Sequence, residues 1–204
     1  PLVFEYAFTN RTELTVEPVF GTSIRPKHSP SASGAGDVEL TLTHLFVPEA
    51  GAVPAFAGAL EVKLPTAKNR LIGTGKTDFT AWAIASKRLG NLDLHANLGY
   101  TVVGKPAGTN LSNIVDYAIA EEYHLSPRVD VVGEVLGNTS SLGENGNEGG
   151  GATGIPAEAA GAEKSLMVGM RYKWSPALAF SIGVSYDNNH ALLIRPGITW
   201  RFGR

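Results

Sequence analysis

The stretch that decides the fold is "NLDLHANLGYTVVG", residues 91–104. Leu92, Leu94, Ala96, Leu98, Tyr100 and Val102 alternate without a break against Asp93, His95, Asn97, Gly99 and Thr101. Successive side chains of an extended chain point to opposite faces, so this period of two gathers the apolar groups on one face and the polar groups on the other. In a soluble sandwich the apolar face would meet a core and the polar face bulk water. The rest of the chain argues against that arrangement.

The same alternation recurs in eleven segments, at about 2–8, 13–22, 37–46, 55–64, 77–88, 91–103, 114–124, 128–137, 165–174, 177–187 and 191–202. Most approach ten residues, longer than the roughly five or six of an ordinary globular strand. The connections also alternate. "TNRTE", "PEAGAVP", "RLGN", "LSPR" and "WSPA" are short, whereas "RPKHSPSASGAG", "PTAKNRLIGTGK", "KPAGTNLSN" and residues 138–163 are longer and rich in Gly, Ser, Asn and Lys, with "NNH" as the exception. Short turns at one end and long loops at the other are the pattern of an antiparallel up-and-down transmembrane β-barrel.

Composition agrees with an all-β chain of one domain, residues 1–204, with 24 Gly and 12 Pro. The absence of cysteine removes disulfides, thiolate metal sites and thiol nucleophiles. A formal charge of -2, with no Lys/Arg-rich run, gives no reason to expect nucleic acid. No segment reaches the roughly 18 apolar residues of a transmembrane helix. No signal peptide is visible, and a beginning at "PLVFEY" is compatible with processing or truncation.

The aromatic residues assign the apolar face. Phe8, Phe46, Phe56, Tyr123, Tyr172, Trp174, Phe180, Trp200 and Phe202 fall near the short-turn end, and Phe20, Phe79, Tyr100, Tyr117 and Tyr186 toward the long-loop end. Between them the outward positions are mainly Leu, Val, Ile, Ala and Gly. Two aromatic girdles around an aliphatic band are what a bilayer selects, since amphipathic rings prefer the headgroup region. A soluble core has no reason to sort its rings by height.

The other face carries twelve acids, Glu5, Glu13, Glu17, Glu39, Glu61, Asp78, Asp93, Asp116, Glu122, Asp130, Glu134 and Asp187, against six bases, Lys63, Arg128, Arg171, Lys173, Arg195 and Arg201. A dry core could not hold that many charges unless all were paired, but a water-containing lumen can. The expected pore lining therefore includes Glu17, Glu39, Glu61, Lys63, Asp93, His95, Asn97, Asp116, Asp130, Glu134, Arg171 and Arg195. Its acidic excess favours cations, with Asp130–Arg171 and Glu122–Arg128 as expected ion pairs. His44 and Glu121 are the polar exceptions on the outward face, and Pro18 and Pro196 predict bulges or ladder gaps.

The blocks "TNRTELTVEPVF", "GAGDVELTLTHLF", "FAGALEVKLPT", "GTGKTDF", "KRLGNLDLHANLGY" and "EEYHLSPRVDVVGEVLG" resemble, in order, the outer-membrane transporter family named for the MetA pathway of phenol degradation. That resemblance spans nearly the whole chain. It implies a Gram-negative outer-membrane barrel that passes small aromatic or other organic solutes. The partners expected are the lipid bilayer with its lipopolysaccharide and a small solute, and no cofactor or catalytic residue is expected.

The first and last segments both run toward the short-turn end, so an even-numbered antiparallel closure predicts a twelfth strand before Pro1. Three local motifs are weighed against this reading. His124-Leu125-Ser126 has an esterase-like spacing, but Ser126 opens a tight turn before Pro127 and lacks a recognisable triad. Glu144, Glu148, Glu158 and Glu163 of the loop 138–163, taken as extracellular, match no calcium-loop spacing, and "GTGKT" at 73–77 lacks the phosphate-loop spacing. No metal is expected. The function expected is passive diffusion of small solutes through the bacterial outer membrane. The alternatives are a non-conducting barrel that serves as a structural or partner-binding component, an outer-membrane esterase, and a soluble lipocalin-like binder.

Overall fold

The computed structural model describes residues 2–24, 31–142 and 161–202. They form β1 (Phe4–Thr9), β2 (Thr12–Pro18), β3 (Thr22–Ile24), β4 (Ala32–Gly34), β5 (Val38–Val47), β6 (Ala55–Leu64), β7 (Asp78–Leu89), β8 (Leu92–Val102), β9 (Ile114–Ser126), β10 (Val129–Asn138), β11 (Lys164–Lys173), β12 (Leu178–Asp187) and β13 (Leu192–Trp200). Eleven of these build one sheet in the order β1-β2-β5-β6-β7-β8-β9-β10-β11-β12-β13. Each pairs antiparallel with its neighbours, from Phe4↔Val16 at one edge to Leu178↔Trp200 at the other.

The eleven sheet strands coincide with the eleven alternating segments. β3 and β4 are additional: among the described residues they pair only with each other, Thr22↔Gly34 to Ile24↔Ala32, inside the first long connection. Three residues each of "TSI" and "ASG" are too short to carry a readable period. In two of the short turns Gly51 and Gly90 take φ of 54° and 64°, left-handed positions that residues with a Cβ seldom adopt.

Burial is inverted relative to a soluble sheet. Among the described residues, the buried apolar side chains are only Ala32, Ala59, Val103 and Leu111, whereas Leu60, Leu98 and Ile119 are 65%, 57% and 65% exposed on the apolar face. On the charged face Glu39, Glu61, Asp93, Asp116 and Glu134 are half-buried and Asp130 is 0% exposed. The sheet is therefore curled with its charged face inside. Glu5 of β1 lines the same cavity as Arg171 of β11 and Thr199 beside the last residue of β13, so the curl brings both ends of the strand order toward one space.

The sheet has two edges, β1 and β13, and among the described residues they do not pair with each other. Every residue of β1 and all but Gly197 of β13 are exposed, on both faces, unlike the interior strands. Of the bulges or ladder gaps expected at the prolines, bulges are not formed. Register shifts occur instead at Ala7/Thr9, Leu45/Val47 and Val129/Asp130, all beside short turns. Pro18 is the last residue of β2, and Pro196 pairs in register with Ile182. β13 is an edge strand, where a sheet accommodates a residue without an N–H most readily.

Candidate functional site

The inner face is built from cross-strand rows, because antiparallel partners place their side chains on the same side of the sheet. Nearest the long connections, Glu17↔Glu39↔Lys63↔Asp78 form one row across β2, β5, β6 and β7. Lys63 Nζ lies 2.5 Å from Asp78 Oδ2 and 3.8 Å from Asp37 Oδ2. These carboxylates also hold the rim together. Asp78 accepts the Gly104 N–H at 2.7 Å, and Asp37 accepts that of Ala67 at 2.8 Å.

The middle rows are neutral and aromatic as well as acidic. Trp82 of β7 donates its indole N–H to Glu61 Oε2 at 3.0 Å. Its ring crosses Gly99 of β8 so closely that a Cβ there would come within 2.6 Å of Trp82 Cζ3. The hydroxyls of Thr80 and Thr101 lie 2.9 Å apart, and Thr101 donates to Asp116 Oδ2 at 2.8 Å. His95 Nδ1 meets Ser86 Oγ at 2.9 Å, while the buried Asn97 Oδ1 has no hydrogen-bond partner among the described residues. Glu134 is opposite Met167, and Arg195 of the edge strand is exposed opposite Gly183.

Toward the short turns the face becomes an ion-pair network. Arg88 binds Asp93 with two bonds, of 2.7 and 2.8 Å. His124 lies between Asp93 Oδ2, 2.9 Å from Nε2, and Asp130 Oδ1, 2.8 Å from Nδ1. Lys173 Nζ reaches Asp130 Oδ2 at 2.7 Å, and Arg171 Nη1 reaches Glu122 Oε2 at 3.0 Å. The expected pairings change accordingly. The expected Asp130–Arg171 pair is present as a long contact of 3.9 Å between residues directly opposite in register, whereas Arg128 makes no ion pair among the described residues and Glu122 pairs with Arg171 instead. The bulge at Val129/Asp130 sets Asp130 opposite His124, which then occupies the carboxylate. Donor atoms of Glu122, His124 and Asp130 lie within 4.8 Å of one another, a spacing a cation could share, but Arg171 and Lys173 already take the two carboxylates.

These partners also explain the His124-Leu125-Ser126 triplet. Ser126 Oγ accepts the N–H groups of Arg128 and Val129 at 3.3 and 3.1 Å, a turn role, and both ring nitrogens of His124 contact carboxylates. On the outer side of a short turn Glu49 binds Lys87 at 2.5 Å, and that hydrogen bond from the ammonium holds its carboxyl below the ordinary range. Glu144, Glu148 and Glu158 lie outside the described residues. Glu163 is described, and its backbone carbonyl accepts the Asn138 N–H at 2.9 Å.

The apolar face carries the rings. Phe20, Phe46, Phe56, Tyr100, Tyr123, Trp174, Phe180, Tyr186, Trp200 and Phe202 are exposed, and Tyr172 is half-buried edge-on to Trp174 at 6.3 Å. His44, exposed on the same face, bonds Thr12 Oγ1 at 2.9 Å, and Glu121 lies over Gly133, 3.0 Å from where a Cβ would be. Trp82 and Arg88 are the inner-face residues that sequence reading passes over. Both share the parity of Asp78 and Thr80, a signal present in "DFTAWAIASKR", but an apolar ring and a strand-end arginine do not mark themselves as lumenal.

A model of the family described as "Putative MetA-pathway of phenol degradation" matches residues 5–193. No curated protein matches the chain. Among solved structures, the outer membrane channel DcaP of Acinetobacter baumannii is similar at 11% identity and a TM-score of 0.45, over 96% of this chain and 59% of its own. The chain thus spans about 59% of the length of that channel.

Proposed function

Since this chain belongs to the family named for the MetA pathway of phenol degradation, we propose that it is a passive channel of the bacterial outer membrane for small solutes, small aromatic and other organic compounds among them. One observation carries the reading: the charged face is the sheltered one, while the apolar face lies open with its leucines, isoleucines and rings exposed. In water that arrangement would leave a large uncovered apolar surface. In a bilayer it places hydrocarbon against the apolar band and water against the charges.

The eleven-stranded sheet closes into a barrel through one more antiparallel strand between β1 and β13. Both edges run toward the short turns, so direct pairing would be parallel, and a strand running the other way satisfies both. The long loops, 138–163 above all, are extracellular and limit solute size. Inward carboxylates give a mild cation preference.

A second reading, a non-conducting barrel with a structural or partner-binding role, is favoured by the Arg88–Asp93–His124–Asp130–Lys173 network across the inner face. Single-channel recording of detergent-purified protein in a planar bilayer under a salt gradient separates the two. Discrete openings with a cation-biased reversal potential support the channel. A silent bilayer that contains folded protein supports the closed barrel.

A further inference from the structure

The short-turn end of the inner face holds a cavity of about 590 Å³ whose walls differ in charge from the rest of that face. Arg128, Arg171, Lys173 and Arg201 line it, with Thr199, and the only carboxylate among the lining residues is Glu5, contributed by β1. The backbone holds the cationic residues at one level. The N–H of Lys173 bonds the Arg128 carbonyl at 2.8 Å, and the N–H of Arg201 bonds the Ala177 carbonyl at 2.9 Å, just past the turn that follows Lys173.

Two of the four cations are already matched, Arg171 by Glu122 and Lys173 by Asp130. Arg128 and Arg201 make no ion pair among the described residues. Two unmatched guanidinium groups on a concave wall favour a planar oxyanion that can accept paired N–H bonds. The volume lies within the range of small-ligand pockets and exceeds what an inorganic ion needs.

We propose that this cavity is a binding site for small organic carboxylates, with Arg128 and Arg201 as the groups that hold the carboxylate and Thr199 beside them. The inner face is then polarised: acidic toward the long loops, along Glu17, Glu39 and Glu61, and anion-binding at the short-turn mouth. The site does not depend on conduction, so a silent bilayer leaves it open to test.

Benzoate binding to the detergent-solubilised protein, followed by isothermal titration calorimetry, tests the site. The expected result is saturable benzoate binding that Arg128→Gln with Arg201→Gln weakens by about tenfold or more, the size of a lost charge-assisted hydrogen bond. Lys68→Gln with Arg70→Gln removes the same charge from the long connection 65–77 and leaves binding unchanged. Equal affinity for benzylamine, equal loss in both double variants, or no benzoate binding by folded wild-type protein overturns the proposal. Arg201→Gln alone, an exposed position beyond β13, keeps the test usable if the double variant fails to fold.

Discussion

Trp82 donates its indole N–H to Glu61 from the neighbouring strand, 3.0 Å away, and lays its ring across Gly99 on the strand beyond. Three strands thus meet at one inward aromatic side chain. Gly99→Ala puts a Cβ within 2.6 Å of the ring, which must turn away from the wall. The expected cost is about 1–3 kcal/mol, as for other overpacked sites. In bilayers the variant should conduct less than wild type, and Trp82→Ala should conduct more. Unchanged conductance in both would remove Trp82 from the solute path.

Ile119 and Asn97 test which face meets lipid. Ile119 is 65% exposed on the apolar face, while Asn97 is half-buried on the opposite one, and the neighbouring registers Ala96↔Ile119 and Asn97↔Ala118 set them at nearly the same height. Ile119→Arg should lower stability in lipid by roughly 2–4 kcal/mol, the penalty of a cation near the bilayer midplane. Asn97→Arg should cost far less. Equal effects in urea titrations of liposome-folded protein would mean that the apolar face does not contact hydrocarbon.

Glu17, Glu39 and Glu61 should control ion preference more than Asp93 does. Lys63 stands beside Glu39 in one row but bonds Asp78, whereas Asp93 is matched by two bonds from Arg88 and a contact with His124. Matched charges contribute little field at a distance. Reversal potentials under a salt gradient should move toward zero selectivity in the triple Glu→Gln variant and change little in Asp93→Asn. The reverse order would place the selectivity region at the short turns.

Asp130 is 0% exposed and is approached by Lys173 and His124, both partly solvated. Asp130→Asn leaves those cationic and polar partners able to reach water and should cost about 1–3 kcal/mol. Removing the partners instead, in His124→Ala with Lys173→Met, strands a buried carboxylate and should cost more, about 3–5 kcal/mol. Denaturant midpoints in micelles rank the two, and a smaller loss in the double variant would contradict the burial of Asp130.

Glu49 supplies a pH dependence outside the strands. Its carboxylate accepts from Lys87 and from the Arg88 backbone N–H, and the Lys87 bond holds its carboxyl below the ordinary value. A depressed folded-state value means the contact is fully present above the ordinary glutamate range and is lost as pH falls through the lower value. The Arg88 amide resonance should therefore titrate below that range, and Glu49→Gln should abolish the transition. A midpoint at the ordinary value would mean that Lys87 does not hold Glu49 in solution.

Alternation alone located the eleven strands of the sheet, because a pleated strand with hydrocarbon on one side and water on the other leaves no other choice for each side chain. The same parity assigned Glu61, Asp93 and Asp130 to one face and Leu98 and Ile119 to the other, since it needs no knowledge of neighbours. Pairing within the face is a different matter. That Asp130 meets His124 as well as Arg171 depends on a bulge between β9 and β10 that shifts register by one residue, and the Trp82 ring lies across the ladder where Gly99 leaves room. Arg128 and Arg201 likewise come to one cavity only because the curl gathers β1, β11, β12, β13 and the turn before β10 around it. Period two is a property of one strand; ion pairs, close approaches and cavities belong to several strands at once, and only the tertiary structure brings those together.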